Sequence, residues 1–147
     1  MSRRNTAIAA ALSVLALGSP LITANANPLA RQYYDQGFDK YDAGNYQGAI
    51  ADFNKGIEID PHNADAYYYR GNAKRDFGDY QGAIADYTKA IEINPQNAYF
   101  YEARGLTRKE VYNLEGACDD WRKVVDLGLA YRINWLNSDE GAWCRNM

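Results

Sequence analysis

A 19-residue run of this chain returns 34 residues later almost unchanged. Tyr46 to Ala64 (YQGAIADFNKGIEIDPHNA) recurs as Tyr80 to Ala98 (YQGAIADYTKAIEINPQNA), identical at 14 of 19 positions, and Phe53/Tyr87 and Gly56/Ala90 keep the character of the side chain. A fixed period of this length is the signature of a helix–turn–helix solenoid. One unit of such an array cannot bury its apolar face alone, so neighbours must stack.

Laid across the chain, the period gives units at Ala30–Asn63, Ala64–Asn97 and Ala98–Tyr131. Certain residue types recur at fixed slots. The fourth slot holds Tyr33, Tyr67 and Tyr101; the eighth Gly37, Gly71 and Gly105; the twentieth Ala49, Ala83 and Ala117; the twenty-fourth Phe53, Tyr87 and Trp121. Slot twenty-seven is Gly56, Ala90 and Val124, and Pro61 and Pro95 close the first two units, with Leu129 where a third Pro would stand. This pattern of aromatic, Gly, Ala, aromatic and Pro resembles the tetratricopeptide repeat family. The resemblance implies an all-α fold, a right-handed superhelical solenoid of helix–turn–helix repeats closed by a C-terminal capping helix. The chain departs from the family at slot eleven, where Lys40, Lys74 and Arg108 replace the usual Tyr.

Each slot has a physical cause. Gly inside a helix costs about 1 kcal/mol against Ala, so its recurrence calls for close packing, and Ala49, Ala83 and Ala117 are the expected facing residues. Pro biases the residue before it away from helix, so Asp60-Pro61 and Asn94-Pro95 mark turns, after which Asn63 and Asn97 offer N-caps. The spacing predicts helices over Leu29–Ala43, Tyr46–Ile59, Ala64–Phe77, Tyr80–Ile93, Ala98–Tyr112 and Leu114–Leu127. A terminal repeat must cover its apolar edge; residues 132–147 form the expected cap, with Leu129, Ile133 and Leu136 at helical spacing and Trp143 and Cys144 packing behind them.

Residues 1–26 differ from the rest. Arg3 and Arg4 precede an apolar run, Thr6–Leu17, and Ala24-Asn25-Ala26 supplies small residues in an A-x-A arrangement. That is the order of a secretory signal peptide, with cleavage expected after Ala26 and the repeats beginning within residues 27–131. The run is too short to span a bilayer, which needs about 20 residues; an uncleaved anchor is the alternative. Loss of Arg3 and Arg4 makes the chain two charges more negative than its −3. An acidic chain without a basic cluster argues against nucleic acid and anionic membrane surfaces.

Two cysteines remain, Cys118 and Cys144. Cys118 occupies the slot of Ile50 and Ile84, facing the cap. In an exported chain an even count favours a disulfide, here pinning the cap to the last repeat; the alternative is a pair of buried small hydrophobes. Catalytic candidates are few: Ser138, His62, Thr88 and Thr107 after the leader. A nucleophile needs a base beside it, and His62 lies in a turn where Gln96 replaces it in the next unit. Asp119 and Asp120, adjacent in sequence, point to different helix faces. No phosphate loop or metal-ligand spacing is evident, so neither enzyme activity nor a cofactor is expected.

The resemblance further implies that the first helix of each unit lines a concave groove for a protein or peptide. By position, unit one contributes Arg31, Tyr34, Phe38, Tyr41 and Asp42; unit two Asp65, Tyr68, Asn72, Arg75 and Asp76; unit three Tyr99, Glu102, Leu106, Lys109 and Glu110. Tyr and Arg are enriched among binding hot spots. Family members that grip acidic chaperone tails use Lys, Asn, Asn, Lys and Arg at set slots, and Tyr34, Phe38, Tyr69, Tyr99 and Ala103 stand there instead. The runs Tyr69–Tyr87 and Gly116–Gly128 are similar to repeats common in cyanobacterial proteins, which implies the periplasm or thylakoid lumen. The expectation is an exported, non-catalytic adaptor or assembly factor; the alternative is a structural protein that self-associates through repeat edges.

Overall fold

The computed structural model describes residues 27–146; the expected signal peptide, residues 1–26, lies outside them. Among the described residues there are eight helices and no strand: α1 (Pro28–Asp42), α2 (Tyr46–Ile59), α3 (Ala64–Phe77), α4 (Tyr80–Ile93), α5 (Ala98–Glu110), α6 (Leu114–Asp126), α7 (Ala130–Asn137) and α8 (Ala142–Arg145). Each helix packs on the next in sequence, and α3 also meets α5, the arrangement of a solenoid. None is long and apolar enough to cross a membrane.

Local chemistry sets these boundaries. The first six helices are each N-capped by a carboxamide or carboxylate oxygen, from Asn27, Asn45, Asn63, Asp79, Asn97 and Asn113. Each such cap is worth about 1 kcal/mol. The turns inside units one and two pass through Gly44 (φ 74°) and Gly78 (φ 96°), left-handed conformations that Gly adopts without a Cβ clash. In unit three the same slot is Tyr112, φ 60°, and this shortens α5, which ends at Glu110 instead of continuing to Tyr112 as the spacing predicts. A non-glycine residue held there costs roughly 1–2 kcal/mol.

The glycine slot works by close approach, but its partner is the aromatic and not the alanine. A Cβ on Gly37 would lie 2.9 Å from the Phe53 ring, on Gly71 2.7 Å from Tyr87, and on Gly105 2.8 Å from Trp121 Nε1. Those three aromatics are essentially fully buried, as are Ala49, Ala83 and Ala117.

The same interface buries a carboxylate in every unit. Asp52, Asp86 and Asp120 occupy slot twenty-three and are 4%, 4% and 2% exposed. Each pairs with the cation at slot eleven: Asp52 with Lys40, Asp86 with Lys74 at 2.9 Å, Asp120 with Arg108 at 2.9 Å. That pairing explains the departure from the family's Tyr. In units two and three a second cation joins from slot seven. Arg70 forks onto Asp86 (2.6 and 2.8 Å) and donates a third bond back to Asn54 Oδ1 of unit one at 2.7 Å. Arg104 does the same with Asp120 and with Thr88 Oγ1 of unit two. One guanidinium thus ties its own unit to the preceding one.

At the far end the bridge changes hands. Slot twenty-five, Asn54 and Thr88 earlier, is Arg122 in unit three, and it donates to the Cys144 carbonyl of α8 at 2.7 Å. Trp121, Trp135 and Trp143 meet edge to face with centroids 4.9–6.1 Å apart, and Leu129 and Leu136 pack beside them. Ile133, expected in this seal, is exposed; Arg132 is buried in its stead. Its guanidinium stacks on Trp121 (4.6 Å) and Trp135 (4.8 Å) and pairs with Glu102 of α5. Cys118 of α6 and Cys144 of α8 have Cα atoms 5.4 Å apart and are joined in the structure.

Replacing Asp86 by Ala would leave Arg70 and Lys74 facing each other without a counter-ion. Removing one partner of a buried pair costs 3–5 kcal/mol; since both cations keep some water, we expect about 3 kcal/mol, read as a lowered urea midpoint. Loss of under about 0.5 kcal/mol would mean that the carboxylate is not structurally engaged.

Candidate functional site

The first helices α1, α3 and α5 lie side by side, and aromatic side chains run across them. The Phe38 ring of α1 meets Tyr69 of α3 at 4.5 Å, Tyr69 meets Tyr68 at 5.1 Å, and Tyr68 meets Phe100 of α5 at 5.2 Å. Behind this row Phe38 rests on Phe53 of α2 and Tyr68 on Tyr87 of α4. The row is therefore anchored to the second helices; Tyr69 is its open member, 37% exposed, Phe38 and Tyr68 are half-buried, and Phe100 at its end is buried.

The expected partner-binding residues divide into three groups. Phe38, Tyr41, Tyr68, Asn72 and Arg75 are half-buried and contiguous. The Tyr41 hydroxyl donates to Asp76, Arg75 pairs with Asp76 at 3.0 Å, and Asn72 Oδ1 accepts the Tyr87 hydroxyl at 2.8 Å. Leu106, Lys109 and Tyr99 are exposed on α5. Two residues, Tyr34 and Glu102, make contacts within the fold. Tyr34 is buried: it lies over Gly56, where a Cβ would come within 2.2 Å of its ring, and its hydroxyl donates to the Asp60 carbonyl at 3.2 Å. Glu102 is taken up by Arg132 of the cap.

Two clefts open on this side. One of about 400 Å³ lies between units two and three, lined by Arg75, Asp76, Tyr80, Leu106 and Glu110. The other, about 420 Å³, brings Asn94, Gln96 and Tyr99 against Leu127 and Leu129. Sequence reasoning missed Tyr80, the first residue of α4, whose exposed ring completes the first cleft. It also missed the change at slot nine: where Tyr87 finds the oxygen of Asn72, unit three has Leu106 in that slot, and the buried Nε1 of Trp121 has no hydrogen-bond partner among the described residues.

The catalytic candidates have structural duties. Thr88 Oγ1 donates to the Ile84 carbonyl, Thr107 Oγ1 to Ala103, and Ser138 Oγ to Trp135. His62 is exposed in a turn. Among the described residues no group of three His, Cys, Asp or Glu is placed to hold a metal ion.

Comparison with known proteins agrees with this geometry. The family models "Tetratricopeptide repeat" and "TPR repeat" match residues 64–97 and 39–75. No curated protein matches the chain. Among solved structures, the first TPR of Spaghetti (RPAP3) bound to the HSP90 peptide SRMEEVD is 25% identical, with a TM-score of 0.67 over 76% of this chain and 95% of that one. The second TPR domain of human RPAP3 in complex with the HSP70 peptide SGPTIEEVD is 27% identical, with a TM-score of 0.69 over 75% and 93%. MamA is 26% identical, with a TM-score of 0.66 over 70% and 61%.

Burial, reinforced by the charge of Asp60, pushes the Tyr34 phenol up to about 12; burial and the hydrogen bond to Asp76 do the same for Tyr41. Their unfolded value is 10.0. Both therefore stabilise the fold fully below pH 10, and that contribution fades as pH rises from 10 toward about 12. Phenolate absorbance is expected to show a class of tyrosines titrating well above the rest, with stability falling across that window. Uniform titration of all tyrosines near 10 would contradict this packing. Over residues 39–97 the family models, and over most of the described residues the solved structures, show a likeness to the tetratricopeptide repeats.

Proposed function

We propose that the protein is a non-catalytic adaptor or assembly factor that holds a protein partner on the face formed by α1, α3 and α5. The observation that carries this reading is the aromatic row Phe38–Tyr69–Tyr68–Phe100, anchored from behind and open to solvent at Tyr69, on the same helices that border a cleft of about 400 Å³. Rigid aromatics next to a concave site supply contact area at low entropic cost, the character of hot-spot anchors. Peptides held by the two RPAP3 structures support the same use of this fold. The leader-like residues 1–26 support export, to the periplasm or the thylakoid lumen. The alternative is self-association through the edge at α1, where Leu29 is exposed; α7 and α8 cover the edge of the last unit.

The test captures partners from an envelope extract with residues 27–147 as bait. A second bait carries Tyr69→Ala and Leu106→Ala, both exposed and on this face. A partner held by the first and lost by the second, at unchanged helicity, is the expected outcome. Equal capture by both baits would contradict use of this face, and recovery of the chain alone would favour self-association.

A further inference from the structure

On the premise that a partner lies on the α1–α3–α5 face, we infer that the segment it accepts is cationic and amphipathic, with an apolar side chain seated in the cleft between Tyr80 and Leu106. Three observations lead to this.

The thirteenth slot is acidic in every unit: Asp42, Asp76 and Glu110. These are the last, penultimate and last residues of α1, α3 and α5. The C-terminal end of a helix carries partial negative charge, so a carboxylate there is disfavoured by several tenths of a kcal/mol. The helices themselves give no reason for an acid to recur at that place. Asp42 and Glu110 form no ion pair among the described residues.

The charges left over on the face are mostly negative. Arg75 holds Asp76 and Arg132 holds Glu102. What remains is Asp42, Asp65 and Glu110, with Asp35 at the slot that holds Tyr69 in unit two, against Arg31 and Lys109. The Asp65 carboxylate near the exposed Tyr69 ring suits a Lys or Arg head group, which is attracted to both anion and ring. The slots that would clamp an acidic tail hold Tyr34, Phe38, Tyr69, Tyr99 and Ala103, with no cation among them.

The apolar anchor point is equally specific. Leu106 and Tyr80 are 40% and 37% exposed, and the Arg75–Asp76 pair and the unpaired Glu110 line the same cleft. Phe77, 56% exposed, extends from the end of α3, and Tyr112, 88% exposed in its left-handed turn, from the end of α5. An apolar side chain in the cleft brings a flanking cation within reach of Glu110, the acid there without an ion pair among the described residues.

The experiment measures fluorescence anisotropy of a labelled peptide of Leu and Lys, about 12 residues long, against its counterpart with Glu for Lys. The Lys peptide is expected to bind residues 27–147 roughly tenfold tighter or better. Binding should weaken as salt rises from about 50 to about 300 mM. Paired changes Asp42→Asn and Glu110→Gln, and separately Leu106→Ala, should each weaken it about fivefold or more. Exposed acids on the second helices provide the control: Glu58→Gln with Glu92→Gln removes equal charge and should change binding less than about twofold. Equal loss in that control would reduce the effect to bulk charge and overturn the inference. Tighter binding of the Glu peptide, still weakened by Leu106→Ala, would overturn the cationic preference and leave the partner-binding face intact. Indifference of both peptides to every change on the face, or no binding of either, would overturn the inference and the face with it.

Discussion

A carboxylate buried between the paired helices of every unit sets the terms on which the rest of the structure is built. Asp52, Asp86 and Asp120 are shut away from water, and a buried charge without a partner costs several kcal/mol. Slot eleven must therefore be a cation, and the Tyr usual in the family cannot stand there. From unit two onward slot seven is an Arg as well, whose fork grips the Asp while its remaining nitrogen reaches the preceding unit. Apolar burial supplies the bulk of the stabilisation. A buried ion pair adds little beyond an apolar replacement, so the ladder is better read as a register device: a helix pair slipped by one residue would strand its charges.

The ladder also explains how the ends of the array differ from its middle. Slot seven in unit one is Gln36, exposed, with no earlier unit among the described residues for an Arg to reach. Slot twenty-five in unit three is Arg122, which would repel an arriving guanidinium and instead donates to the Cys144 carbonyl. The tryptophan cluster, the stacked Arg132 and the Cys118–Cys144 link then cover the apolar edge. Because Arg132 takes up Glu102, the cap also settles which part of the first-helix face remains open.

Much of this was legible in the chain, for a physical reason. Residues that recur do so because the same contact recurs, so the helix pairs, the close packing at the glycines and the caps at Asn63 and Asn97 could be anticipated from period alone, and α2, α3 and α4 have the expected bounds; that the glycines meet the aromatics and not the alanines could not. The buried Asp was equally visible: an acid at 34-residue spacing beside a cation at the same spacing is the signal, although acids in a polar chain ordinarily lie at the surface. Features that occur once carried no such signal. Arg132 and Ile133 are neighbours on one short helix, and periodicity favours the wrong one. Tyr34 and Tyr68 share a slot, yet Gly56 opens a space that buries the first, while the second, in a unit with Ala90, joins the open aromatic row. Tyr112 looked like a helix residue because only comparison with Gly44 and Gly78 reveals the turn.

The same helical frame that holds acidic peptides in the RPAP3 structures here presents aromatics and carboxylates. Everything functional then depends on one claim, that the partner lies against α1, α3 and α5. Hydrogen exchange of residues 27–147, with and without the captured partner, tests it most directly. The account predicts slowed exchange concentrated in α3 and α5 and in the C-terminal turn of α1. Protection confined to α2, α4 and α6, with the first helices unchanged, would contradict it.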